Sequence, residues 1–204
     1  MWPFRKPAPV EEKSLSSPDD WLRELFTATP SASGVSVTPA TAMRCTAVRR
    51  AVAAIAEPIG SLPLHVYRRD GEARERDAGH PVAKLLRDPN PWTSASEFRE
   101  QLQRDCLLHG NGVALIIRVG GEPREMLRLD PASVQIDVDD FGGPVYRQVS
   151  GEQRRTLPRE DVFHIRAASL DGVKGESPVR QCREAIATAL VLEKHVAKLF
   201  GTGA

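Results

Sequence analysis

The sequence predicts an α+β fold: a small, mostly antiparallel sheet with flanking helices, an extended N-terminal arm and a long C-terminal helix. Three observations carry this. Apolar residues recur at helical spacing in two stretches, one from Met43 to Ile59 and one from Cys182 to Leu199. Between them, short runs of β-formers are punctuated by the pairs Gly120-Gly121 and Gly142-Gly143. The first 37 residues are rich in Pro, Ser, Ala and Thr and hold too little apolar surface to fold alone.

Taken in order, residues 1–37 form the arm, with one amphipathic island at Trp21, Leu22, Leu25 and Phe26 that is expected to dock it against a partner. Protease should cut this arm in the isolated chain and spare it in an assembled particle. A domain over 38–204 follows. Thr38 is an N-cap with Pro39 at the first helical position, where a missing N–H costs nothing. Met43, Ala47, Val48, Val52, Ile55 and Ile59 mark the helix face, and Pro58 its end. Residues 62–67 read as a strand, 68–79 as a charged turn, and 80–86 as a short helix stopped by DPNP at 88–91. Ser94 with Glu97 makes a capping box for a helix whose face is Phe98, Leu102 and Cys106. Gly110, Asn111 and Gly112 end that helix, because Gly and Asn tolerate the left-handed conformation of a C-cap. Strands are expected over 113–119, 126–129, 134–138, 145–149 and 161–166, the last closing the sheet. Ser177 and Pro178 open the final helix, whose stripe is Cys182, Ile186, Ala189, Leu190, Leu192, Val196 and Leu199, joined by Phe200.

Composition narrows the function classes. At 204 residues the chain is long enough for a sizeable core. Hydrophobic residues make up 41% and charged residues 27%, as in ordinary globular domains. Lys+Arg at 28 against Asp+Glu at 27 gives no electrostatic footprint for tight nucleic-acid binding. Cys45, Cys106 and Cys182 are odd in number and widely spaced, which suits a reducing compartment. No apolar run reaches the ~18 residues of a membrane span.

HGNG at 109–112 lies between a helix and a strand, the reverse of a phosphate loop, and lacks its Lys and Ser/Thr. Cys106 and His109 share a helix end, yet Cys106 falls on the apolar stripe, so a buried structural thiol is the favoured reading over a nucleophile. His65, His80, His109, His164 and His195 are scattered without metal-ligand spacing. Asp137, Asp139 and Asp140 read as a hairpin tip rather than a divalent-ion site. Arg180, Arg183, Lys194, His195 and Lys198 are interleaved with Glu184 and Glu193, as on a solvated face. Arg147, Arg154 and Arg155 are the residues that would approach a phosphate backbone. No catalytic residue, cofactor or metal is expected.

Nine pieces then fall in the order of one known family. They are TPATAMR at 38–44, AAIAEPIGSLPLHVY at 53–67, HPVAKLL at 80–86, DPNP at 88–91, SEF at 96–98, HGNG at 109–112, LDPASV at 129–134, DVFHIR at 161–166 and GESPV at 175–179. Each alone is weak; their order and spacing over residues 38–201 are specific. By them the chain resembles the HK97-type phage portal proteins, leaning toward those of prophage-like elements and gene transfer agents. The resemblance implies a non-enzymatic ring, usually a dodecamer, at one capsid vertex of a virion assembled in the bacterial cytoplasm. Double-stranded DNA would pass through it during packaging and ejection without sequence recognition. The implied partners are further copies of the chain, the major capsid protein, the large terminase subunit and neck or adaptor proteins, with no membrane. The residues present resemble the wing-like portion of such a protein, and the pattern is expected to continue beyond residue 204, where the channel-lining and terminase-contact segments would lie. Ile186, Leu190, Val196, Leu199 and Phe200 are expected to supply one side of a subunit interface. Two alternatives stay open: another head-completion or adaptor ring protein, and a small hydrolase using Cys106 with His109 or His164.

Overall fold

The computed structural model describes residues 31–151 and 153–201. The arm island at Trp21, Leu22, Leu25 and Phe26 lies outside the described residues. Residues 31–37, which the sequence assigns to the arm, lie against the domain: Ser31 is buried, the Ala32 N–H donates to Glu184 Oε2 at 2.9 Å, and Val37 packs beside Ala42 and Cys45.

Thr38 caps α1 (Pro39–Ala42) through a reciprocal pair of bonds with Thr41. The expected single helix breaks here, because the backbone at Cys45 is extended, and α2 (Thr46–Ser61) starts afresh. Pro58 does not end α2; it sits inside it, one turn before Ser61. Only the missing N–H of residue 58 is lost from the ladder, and the Leu62 N–H closes back on the Pro58 carbonyl at 3.1 Å. The buried face is Val52, Ala56 and Gly60, a row of mostly small residues four apart that lets α4 approach closely, while Ile55 and Ile59 face outward.

The expected strand at 62–67 is largely irregular. The charged segment after it, expected as a turn, is a hairpin of β1 (Tyr67–Asp70) and β2 (Ala73–Arg76). Every residue in it is exposed, so no apolar alternation betrays it. His80 caps α3 (Pro81–Arg87) by accepting from the Val82 N–H. DPNP does more than stop α3. The Pro89 carbonyl accepts from the Met126 N–H at 2.6 Å, and Asn90 Nδ2 donates to the Met126 carbonyl at 3.0 Å. Ser94 Oγ then accepts from the Glu97 N–H to start α4 (Ala95–His109), but only this half of the expected capping box forms, because the Glu97 carboxylate accepts from Gln101 Nε2 at 3.2 Å.

The sheet is divided. β3 (Asn111–Val119) is central between β4 (Glu122–Arg128) and β8 (Val162–Arg166), all antiparallel. β5 (Val134–Val138), β6 (Pro144–Ser150) and β7 (Gln153–Leu157) form a second meander. β7 was missed by the sequence reading, for the same reason as the first hairpin: four of its five residues face solvent. β3 reads as a continuous apolar run because both its faces are covered. Ala114 and Ile116 face α3 and α4, with Leu85, Phe98, Leu102 and Met126. Val113 and Leu115 face the second sheet, with Ile136, Tyr146 and Leu157. A third cluster joins Ala42 and Cys45 to Val179 of α5 (Pro178–Gln181) and Ile186 of α6 (Arg183–Gly201). The final helix is thus interrupted at Cys182, and Cys182, expected on its apolar stripe, is exposed. No described helix is long and apolar enough to cross a membrane.

Candidate functional site

The HGNG corner is tightly built, and it starts from one backbone angle. Gly110 is the C-cap of α4 at φ 89°, ψ −18°, a conformation that costs L-residues energy. The turn is tighter than the sequence implied: Asn111 and Gly112 already belong to β3. Turning so sharply brings the corner against the loop after β8. The Gly110 carbonyl accepts from the Ala167 N–H at 2.8 Å. A Cβ on Gly110 would lie 2.5 Å from the Gly175 carbonyl oxygen, and a Cβ on Gly175 would collide with the Gly110 carbonyl. Gly112 leaves no room either, being pressed onto the Leu102 carbonyl.

Asn111 fastens this contact. Its Nδ2 donates to the Gly175 carbonyl at 3.0 Å and its Oδ1 accepts from the Gly175 N–H at 2.8 Å. Because both bonds go to one residue's backbone, the amide orientation is fixed. Oδ1 can only accept, so His164 Nε2 donates to it at 3.0 Å, and His164 Nδ1 accepts from the Tyr146 hydroxyl at 3.1 Å. The row Gly175–Asn111–His164–Tyr146 therefore joins the corner, β8 and the second sheet. Ser177 completes it: its hydroxyl caps α5 by accepting from the Arg180 N–H and donates to the Leu108 carbonyl at 2.7 Å, one of the free carbonyls at the end of α4. HGNG and GESPV, 63 or more residues apart, are two halves of one joint.

Its electrostatics are those of a packed joint. Burial holds His164 below the usual histidine range, and Arg166 adds to this. Burial likewise lowers His109, against the pull of Asp105 and Asp130. Cys106 is buried, and burial followed by the Asp105 carboxylate pushes its thiol up, the opposite of what an activated nucleophile needs. Its thiol donates to the Gly110 carbonyl at 4.0 Å, not to a histidine. Sequence reading also missed Asp105, hidden in the apolar stripe. Arg128 grips both its oxygens, at 2.6 and 2.7 Å, and ties α4 to β4. Burial raises the Asp105 carboxyl, and the Arg128 hydrogen bonds oppose that rise.

The other expected residues separate. Ile186 is 6% exposed and lies in the core of this chain, so it offers little surface to another subunit, and Leu190, partly buried, packs beside it. Val196, Leu199 and Phe200, at 48%, 60% and 85%, stay exposed on the outer half of α6. Arg147 and Arg154 lie on the outer face of the second sheet and Arg155 on the other, with Arg147 ion-paired to Asp137. They do not make a phosphate-binding patch. Among the described residues no group of acidic, His and Cys side chains is arranged to hold a metal ion.

Comparison with known proteins matches this architecture to one family. A family model described as phage portal protein matches residues 46–204. The portal protein of Enterobacteria phage HK97 is 29% identical over 167 residues, covering 79% of this chain and 39% of that protein. A chain in the neck of an empty gene transfer agent particle, computed with C6 symmetry, superposes with a TM-score of 0.64 at 26% identity, over 78% of this chain and 46% of that one. A chain in the neck of the native particle, computed with C12 symmetry, gives 0.58 at 22% identity, over 87% and 51%. The chain thus spans from about two fifths to half the length of these relatives.

Proposed function

The chain belongs to the phage portal protein family, and from that premise we propose that its intact gene product is a structural ring at one capsid vertex of a phage or gene transfer agent. The ring is the conduit for packaging and ejecting double-stranded DNA, and the platform on which the major capsid protein, the large terminase subunit and neck or adaptor proteins dock. A dodecamer is the proposed stoichiometry, supported by the C12 symmetry of a similar neck. The particle is assembled in the bacterial host's cytoplasm. The division into an arm over residues 1–37, docked through Trp21, Leu22, Leu25 and Phe26, and a domain over 38–204 belongs to the same proposal. So does the assignment of Leu190, Val196, Leu199 and Phe200 to a subunit contact.

The observation that carries this reading is the joint itself. Two of the family's motifs, HGNG and GESPV, are spent on close backbone packing and on the Asn111 amide's two bonds to Gly175 rather than on a reactive cleft. The hydrolase alternative loses its nucleophile, since Cys106 is buried with a raised pKa and no histidine at hydrogen-bond distance. The test is electron microscopy and sedimentation of the intact gene product. Closed rings should form without added nucleotide or metal. A stable monomer across micromolar concentrations, turning over members of an ester or peptide panel, would overturn the reading.

A further inference from the structure

The tip of the β5–β6 hairpin carries Phe141, 98% exposed, on a turn that is fully built. Asp139 Oδ1 accepts from the Phe141 N–H at 2.9 Å and from the Gly143 N–H at 2.7 Å. The backbone closes beneath them, Asp139 N–H to the Gly143 carbonyl at 2.8 Å and Gly142 N–H to the Asp139 carbonyl at 3.0 Å. A phenyl ring held in water on a preorganised turn gains nothing for the fold, yet loses little entropy on binding. Beside it Asp140 is exposed and has no partner among the described residues.

A matching recess lies elsewhere in the chain. It is a cavity of about 230 Å³ between the 63–66 loop, the end of β2, α3 and the start of α4. That is below the ~300–1,000 Å³ typical of sites for whole small molecules, but ample for one ring, since an apolar cavity of ~150 Å³ accepts benzene. Leu64, Ala83 and Leu86 give it apolar walls; Arg76, Arg87 and Arg99 outnumber the single carboxylate, Asp77. Arg87 is partly neutralised by Asp88. Arg99 spends Nη2 on the Gly60 carbonyl, while its buried Nε meets no acceptor among the described residues. At the tip, the Arg159 guanidinium and the Asp139 carboxylate both lie beside Gly143, so Asp140 is the carboxylate left to face the basic rim of the recess.

Position decides the occupant. The tip belongs to the second sheet, which covers one face of β3; α3 and α4, which wall the recess, cover the other. A projection on one side and its complement on the opposite side make a head-to-tail contact, the kind that closes a ring. We infer that Phe141, flanked by Asp140, seats in the Arg-rimmed recess of the next copy of this chain. This rests on the ring reading above and adds to it a contact independent of α6.

The test compares the concentration at which the intact gene product half-assembles, read by sedimentation, for the wild type, Phe141→Ser, Leu64→Asp and the double variant. Both positions are exposed, so the fold should stand, and an unchanged melting curve checks that. Each single variant should raise the half-assembly concentration about tenfold or more, as loss of an aromatic anchor does. The double should be no worse than the poorer single, because both remove one contact. Singles that assemble like the wild type, or effects that multiply, overturn the contact and leave the ring reading standing. So does loss of assembly on deleting residues 1–30 when Phe141→Ser is silent, which gives the recess to the arm. A wild type that never assembles removes the ring reading itself.

Discussion

Gly110 and Gly142 hold nearly the same backbone angle, φ 89° and 80°, in opposite surroundings: one is pressed against the Gly175 carbonyl, the other has open space around it. Alanine at Gly142 should therefore cost only the left-handed penalty, about 1 kcal/mol, whereas alanine at Gly110 adds a collision with backbone and should cost about 3 kcal/mol or more. Urea unfolding of the two variants measures the difference, and equal losses would show that the joint is slack. The angle at Gly110 was legible from the sequence, since a Gly after an apolar helix is a local signal. Its partner was not. Nothing local in GESPV says that Gly175 receives the Asn111 amide, because that meeting is made by β3 and β8 pairing across more than 50 residues. The histidines give a second expectation at this scale. His109 and His164 are both held below the ordinary value of about 6.5 by burial. A depressed folded-state pKa means that the unfolded chain takes up protons first as pH falls. Stability is then fully present above about 6.5 and is lost as the pH drops from there toward the folded-state values. Melting temperatures at stepwise pH from 8 to 5 should fall over that range, and His164→Gln should flatten the fall.

Among the elements, α4 and β4 are bound by the Asp105–Arg128 fork, in which the Asp side chain is 6% exposed and the Arg 36%. Breaking a fully buried pair by removing one partner costs ~3–5 kcal/mol; with Arg128 open to solvent, Arg128→Ala should cost about 2 kcal/mol. The loss should shrink at acid pH, where the stranded Asp105 takes up a proton. Asp105→Leu with Arg128→Met should recover most of it, and a double variant as unstable as Arg128→Ala would refute this account. Elements announced by caps and alternation were legible: Ser94 and Thr38 begin their helices, and residues 134, 136 and 138 alternate as a strand should. Elements without an apolar side were not. β1, β2 and most of β7 are exposed throughout, so their pairing leaves no periodic trace. The breaks at Cys45 and Cys182 were also hidden, because the apolar spacing runs through both while the backbone does not.

On the scale of the whole molecule, α6 has two characters. Its first turns are core: Ile186→Ala should cost about 2–5 kcal/mol in the isolated chain. Its outer half is not: Leu199→Asp or Phe200→Asp should leave thermal unfolding of that chain within about 0.5 kcal/mol of wild type while impairing assembly of the intact gene product, if that surface meets a second copy. An unfolding loss at Leu199 matching that at Ile186 would mean the stripe is covered within one chain after all. The joint between HGNG and GESPV has a mechanical consequence. Four hydrogen bonds cross it: Ala167 to Gly110, two between Asn111 and Gly175, and Ser177 to Leu108. A tug on the final helix reaches the central sheet through all four at once. Bonds loaded in parallel share a force and give way together, where bonds loaded in series would unzip singly. The stretch from Leu108 to Ser177 is therefore expected to act as a stiff coupling, in which displacement of the last helix carries the corner of the central sheet with it.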